Sequence, residues 1–301
     1  MKIAATDSVS DKCAEALAKI CEFSDLSEIQ KEELASKLSD FEAIIVRSKT
    51  KVTKDLINSA PKLKAVIRGG VGIDNIDSDY CKKKKIQVLN TPEAPSLAVA
   101  ELTIGLMLSM LRNIPRADAS TKNNEWLKKE LKGRELSEKT VGIIGFGRIG
   151  YEVGKFLTAF NCKILIVDPY ANEKLIQAIN GKKVELDELL KKSDLITFHV
   201  PLLESTKGMI STEQFEKMKD GVLLVNTSRG PVIDEKALCT ALKSNKVGMA
   251  ALDVYWGKTP ENSCILDYKD KLVLLPHLGS STYESQDRIG EEIVEIVKNL
   301  K

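Results

Sequence analysis

Histidine is almost missing from this sequence: His199 and His277 are the only two in 301 residues. Each is therefore worth weighing for proton transfer near neutral pH, because no other side chain has an ordinary pKa there. Cysteine is present, at 13, 21, 81, 162, 239 and 264, but without any CxxC or CxxxH spacing that would hold a metal or a redox pair. Nor does a long apolar run follow Lys2. Reduced thiols, no signal peptide and a cytoplasmic setting are the expectation. An excess of one charge is missing too. The 45 Lys and Arg against 43 Asp and Glu leave +2, which argues against a nucleic-acid surface. The most apolar stretch, Leu102 to Leu111, is too short to span a bilayer and is interrupted by Gly105 and Ser109, so no membrane partner is expected.

What is present is an ordinary globular balance, 43% hydrophobic and 29% charged, over a length that favours two domains with separate cores. Short β-branched runs alternate with amphipathic helical patterns, the mark of parallel α/β architecture. They come in two series. The first reads KIAA (2–5), AIIVRS (43–48), KAVIRG (64–69) and IQVLNT (86–91), with helical stretches such as SEIQKEELASKL between them. The second reads TVGIIG (140–145), KILIVD (163–168), LITFHV (195–200), VLLVNT (222–227), VGMAALDV (247–254) and LVLLPH (272–277). A long helix from Ser96 to about Arg112 and a charged, exposed stretch separate them. Lys82 to Lys85 should close a helix, where cations complement the dipole, and carry no function.

GFGRIG, residues 145–150, follows the strand TVGII and opens the helix YEVGKFLTAF. In that context Gly145 permits a tight turn, Gly147 lets a pyrophosphate approach the backbone and Gly150 allows close packing of helix on strand. Asp168 ends the next strand, where a carboxylate suits the adenosine ribose hydroxyls and repels a 2′-phosphate. NAD is expected over NADP, in a doubly wound, Rossmann-like domain.

Ligands of such sheets sit beyond the carboxyl ends of the strands, and two unusual residues fall there. Arg229 leaves the greasy run VLLVNTS just before Gly230-Pro231; its fork suits a bidentate grip on a carboxylate, or else a salt bridge to Asp234. His277 follows LVLLP and precedes the loop into the last helix, a place for a general acid or base. His199, inside ITFHVPL, reads as a hydrogen-bonded core residue.

The blocks IVRSKTKVTKDLI, RGGVGIDNID, NTPEAPSLAVAELTIGLML, GRELSEKTVGIIGFGRIG, VNTSRGPVIDEKAL, GMAALDVY and PHLGSSTYESQDRIGEEI run nearly end to end through the chain. Together they resemble the NAD-dependent D-isomer-specific 2-hydroxyacid dehydrogenase family, most closely its members acting on D-3-phosphoglycerate in serine biosynthesis. The resemblance implies two doubly wound parallel-sheet domains: residues 1–93 with 277–301 binding substrate, 94–276 binding NAD, and catalysis in the cleft between. It implies that Arg229 holds the substrate carboxylate and carbonyl oxygen, that His277 exchanges the hydroxyl proton, and that amides of Gly69, Gly70 and Val71 help bind the carboxylate. Arg148, Ile149, Thr227 and Asp253 match further cofactor positions. The helix from Ser96 resembles a dimer contact, making a homodimer the minimum and a tetramer the alternative.

The resemblance also assigns a phosphate grip to Arg47, Ser48 and Lys49, joined by Lys128 from across the dimer, which favours oxidation of 3-phosphoglycerate to 3-phosphohydroxypyruvate. The chain's end at Lys301 implies no C-terminal regulatory domain. One departure stands out: where the family usually has a glutamate before a proline, orienting the histidine, this chain has Lys258, which is expected to take over that catalytic place, with Thr259 or Glu261 as the alternatives nearest the histidine. Two other readings remain, a hydroxypyruvate or glyoxylate reductase and a non-catalytic NAD-sensing interaction protein.

Overall fold

The computed structural model describes residues 1–300, and of Lys31 and Glu32 the backbone alone. Lys301, the last residue of the expected substrate domain, lies outside them. The chain divides into two compact units, Met1–Ser96 with Ser280–Lys301, and Leu97–Gly279.

In the first unit β1 (Lys2–Ala5), β2 (Glu22–Asp25), β3 (Ala43–Val46), β4 (Ala65–Arg68) and β5 (Gln87–Asn90) form a parallel sheet in the order β2-β1-β3-β4-β5. Alternate residues of each strand face opposite sides, and both sides are covered, so the central strands read as unbroken apolar runs. Ala4, Ile44, Val46 and Val66 pack on one side with Leu34, Leu38, Val52 and Ile57. Ile3, Ala5, Ile45 and Ile67 pack on the other with Leu17 and with Ile289, Ile293 and Val297. Those last three lie on the helix Tyr283–Asn299, whose apolar stripe ties the end of the chain to this unit.

The second unit holds β6 (Thr140–Ile144), β7 (Lys163–Val167), β8 (Lys182–Lys183), β9 (Leu195–Phe198), β10 (Val222–Asn226), β11 (Val247–Leu252) and β12 (Leu272–Leu274). Their order, β12-β11-β10-β9-β6-β7-β8, is all parallel and reverses direction between β6 and β9. That is the dinucleotide-binding arrangement with its topological switch point beside β6. The helix Ser96–Leu111 is apolar on most sides because Ala100, Ile104, Met107 and Leu111 are buried against Val141, Ile143 and Val225 of the sheet. Among the described residues no single helix is long and apolar enough to cross a membrane; the pair Ser96–Leu111 and Ile114–Lys122, bent by 62°, has that length and composition together. The lysine run does close a helix, Ser78–Lys83.

Three expectations change. The polar edge strands β2 and β8 were not foreseen. The units change over after Ser96 and Gly279, against expected boundaries after 93 and 276, and this puts His277 in the second unit. Finally, the thiols are not all reduced: Cys239 and Cys264 form a disulfide, and Cys13, Cys21, Cys81 and Cys162 stand outside it. The 3-10 segment Cys264–Lys271 packs on the helix Glu235–Lys243 and brings the two Cα atoms to 6.1 Å, a tertiary contact that a separation of 25 residues does not announce.

Candidate active site

The glycine-rich turn after β6 has the form its sequence requires. Gly145 adopts φ +92°, and a Cβ there would lie 2.5 Å from the His199 carbonyl oxygen. A Cβ on Gly150 would meet the Gly145 oxygen at 2.3 Å, so the helix Arg148–Ala159 sits directly on the turn. Gly147 faces open space, with no heavy atom within 4 Å of where its Cβ would be. It is also the N-cap of that helix and offers no side chain to its first amides. Open space in front of uncapped amides at a helix N-terminus fits a pyrophosphate. Asp168 reaches the same turn: its Oδ2 accepts the Phe146 amide at 2.7 Å and its Oδ1 the Tyr170 amide at 2.7 Å. Thr227, buried, shares a hydrogen bond of 3.1 Å with Thr103.

Beyond β10 the chain turns under the control of Asn226, which is 1% exposed. Its Nδ2 donates to the Arg229 carbonyl at 2.9 Å, and its Oδ1 accepts from the Ser228 amide at 3.0 Å and hydroxyl at 2.8 Å. Arg229 Nη1 donates to the Ser228 carbonyl at 2.7 Å, fixing the guanidinium near its own backbone. The turn is tight against the next strand exit, since a Cβ on Gly230 would fall 2.1 Å from the Tyr255 carbonyl. Asp234 caps the following helix through the Ala237 amide at 2.8 Å.

Asp253, the residue after β11, is fully buried. Its Oδ1 accepts the Leu278 amide at 2.7 Å and its Oδ2 the Gly279 amide at 2.8 Å. Burial pushes its carboxyl above the usual range, against the pull of these amides and of His277. His277 itself is exposed and adopts φ +60°, a left-handed conformation uncommon for a residue with a side chain. Lys258 and Glu261 are both exposed, in the segment after Trp256, whose Nε1 donates to the Ile233 carbonyl at 2.6 Å.

The first unit presents basic groups at the carboxyl ends of β3 and β4. The buried carboxylate of Asp7 accepts the Arg47 amide at 2.6 Å and the Lys49 and Thr50 amides at 3.1 Å, shaping the turn that carries Arg47, Ser48 and Lys49. Burial lowers the Arg47 pKa while Asp7 raises it. Lys49 Nζ donates to the Ser27 carbonyl at 2.7 Å. After β4, Gly70 takes φ +143° and leaves its side-chain space to Arg68, whose Nη1 lies 1.2 Å from where a Cβ would be. Gly69 is packed on Ile289 and Ile293, and the Val71 carbonyl accepts from Asn90 Nδ2 at 2.6 Å.

Comparisons with known proteins agree with this geometry. Residues 104–279 match the family described as D-isomer specific 2-hydroxyacid dehydrogenase, NAD binding domain. The chain belongs to that family. It is 43% identical over 301 residues to D-3-phosphoglycerate dehydrogenase of Methanocaldococcus jannaschii, covering all of this chain and 57% of that protein. It is 47% identical over 275 residues to hydroxypyruvate reductase of Thermotoga maritima, covering 90% of this chain and 89% of that one. Thus the chain spans little more than half the length of the phosphoglycerate dehydrogenases it matches. Among solved structures, D-lactate dehydrogenase from Aquifex aeolicus complexed with NAD and lactic acid superposes with a TM-score of 0.87 at 34% identity, over 100% of this chain and 95% of that one.

For a 2-hydroxyacid dehydrogenase, sequence reasoning passed over two residues. Arg68 carries the same signal as Arg229, an arginine and a glycine at the exit of an apolar strand, masked in the sequence by the glycines that follow it. Asn226 is invisible as a shaper of the Arg229 turn until its partners are known. His199 is half-buried and not the fully hydrogen-bonded core residue expected: Thr197 Oγ1 lies 3.0 Å from its Nε2, its buried Nδ1 has no hydrogen-bond partner, and burial drops its pKa to about 3. Lys128 is exposed in the stretch between the helix Ile114–Lys122 and β6.

Proposed function

We propose that the protein oxidises D-3-phosphoglycerate to 3-phosphohydroxypyruvate, reversibly, with NAD as hydride acceptor. The observation that carries the substrate reading is the set of basic groups in the first unit, Arg47 and Lys49 on one turn and Arg68 on the next. Several cations at adjacent strand ends suit a phosphate dianion and have no counterpart in glyoxylate or lactate. The match along the whole chain to D-3-phosphoglycerate dehydrogenase supports the same substrate.

NAD, when bound, supplies the hydride acceptor; Gly145, Gly147, Arg148, Ile149 and Gly150 would hold its phosphates, Asp168 its adenosine ribose, and Thr227 a further part of it. In the second unit Arg229 grips the substrate carboxylate and polarises the oxygen at C2. His277 takes the hydroxyl proton during oxidation and returns it during reduction. The Val71 amide adds to the carboxylate grip, whereas the Gly69 and Gly70 amides, expected to join it, donate instead to the Val46 and Arg68 carbonyls at 2.9 Å; Lys128 acts on the phosphate from a second copy. Exposed Leu97, Ile114 and Trp126, the last 80% exposed, supply the apolar surface for a homodimer. The setting is cytoplasmic, where a reducing poise makes the Cys239–Cys264 bond open to reduction.

One observation favours a second reading, hydroxypyruvate reduction: the chain covers 89% of the Thermotoga protein of that name. Purified protein with NADH, offered 3-phosphohydroxypyruvate, hydroxypyruvate and glyoxylate in parallel, separates the two. A kcat/KM at least tenfold higher for the phosphorylated acid supports the proposal, and parity with hydroxypyruvate overturns it.

A further inference from the structure

The structure assigns Asp253 to hold the backbone turn that presents His277, as a positioning residue for the proton-transferring group. The resemblance to relatives placed it instead among the cofactor contacts. Asp253 directly follows β11, and the turn begins just past the neighbouring strand β12. Its two oxygens accept from Leu278 and Gly279 at 2.7 and 2.8 Å. Two successive amides, directly after His277, thus point at one carboxylate. An extended chain sends consecutive N–H groups in opposite directions, and a left-handed residue turns them to one side, making a concave anion nest. His277 supplies that residue, at φ +60°.

The two features explain each other. The left-handed turn is unfavourable for a histidine, and the buried carboxylate is unfavourable unless its oxygens are hydrogen-bonded. Together they lock the direction in which the imidazole leaves the chain. Tyr255 reinforces the arrangement, its hydroxyl donating to the Leu275 carbonyl at 2.8 Å, just before the turn. Leu278 is 40% exposed, and its amide donates to this carboxylate. Gly279 fits because a Cβ there would already touch Asp253 Oδ2 at 3.3 Å.

The functional part of this inference rests on the proposed dehydrogenase reading; the structural part does not, and the test separates them. Amide hydrogen exchange is measured first on the wild-type protein without cofactor. Leu278 and Gly279 should be protected, and exchange at unfolded-chain rates overturns the assignment. Asp253→Asn keeps the volume but turns one acceptor into a donor facing an N–H. Exchange at 278 and 279 should then accelerate more than about tenfold, the loss expected for hydrogen bonds to a charged acceptor. Unchanged exchange overturns the clamp. In the same variant kcat should fall about a hundredfold, the cost of a misplaced reacting group, with the Kd for NADH held within about threefold. Faster exchange with unchanged kcat removes the positioning role, and a large rise in the NADH Kd with kcat intact at saturation makes Asp253 a cofactor ligand instead. Should the wild type reduce no 2-oxo acid, the proposed function fails while the exchange measurements still decide the clamp.

Discussion

Asp7 in the first unit and Asp253 in the second solve the same local problem. Each stands just past the end of a strand, buried, and each collects backbone amides from the turn that leaves the neighbouring parallel strand: Arg47, Lys49 and Thr50 in one case, Leu278 and Gly279 in the other. The strands differ in what their turns carry. The Asp7 turn presents two cations, and the Asp253 turn presents one imidazole from a left-handed residue. Under the proposed function, the difference teaches that a shared backbone device serves binding where the side chains are charged and long, and proton transfer where a single ring must point one way.

The largest effect expected is on the Asp253 side. His277→Ala should lower kcat for every 2-oxo acid by about 10²–10⁴, the contribution of a positioned acid or base, with NADH affinity unchanged by fluorescence titration. A loss confined to the phosphorylated substrate would break the division of labour. Next is Asp168, a third carboxylate that accepts backbone amides. Asp168→Ala should weaken NADH more than NADPH and narrow the preference between them by about tenfold or more, since a group that accepts ribose hydroxyls and repels a 2′-phosphate is gone. Equal use of both cofactors by the wild type would refute this.

On the other side of the comparison, Asp7→Asn should raise KM for 3-phosphohydroxypyruvate about tenfold, one charge-assisted contact's worth, while KM for glyoxylate moves less than about twofold. Parallel changes in both would show that Asp7 supports the fold and not the phosphate turn. The smallest effect belongs to Lys258. A carboxylate near His277 favours imidazolium, the form that donates a proton in reduction, so Lys258→Glu should extend the reduction profile to higher pH. Lys258 is exposed and its field is screened, which limits the shift to a few tenths of a pH unit. An unchanged profile would take Lys258 out of the site.

Much of this was legible in the sequence wherever a residue type is rare for its place. The glycines of 145–150 sit between a strand and a helix, and an arginine and a histidine end apolar strands, so position and chemistry were readable together. β2 and β8 were not, because EFSD and KK at sheet edges bury little and show no apolar run. The carboxylate partners of the two turns were also hidden. Asp7 lies 40 residues from Arg47 and Asp253 lies 25 from Leu278, and nothing local marks such pairings. Asp253 was singled out only by resemblance, and its oxygens prove to be occupied by backbone. The disulfide escaped for the same reason of distance.

That disulfide makes the stretch from Cys239 to Cys264 a closed covalent ring, with β11, Asp253, Tyr255 and Lys258 threaded on it. A protease that cuts the exposed bend around Gly257 and Lys258 therefore opens the ring without releasing either piece. Such nicked protein would run at full mass until a thiol is added, and would then fall into two fragments: a long one ending near Lys258, and a short one carrying His277 and the last helix.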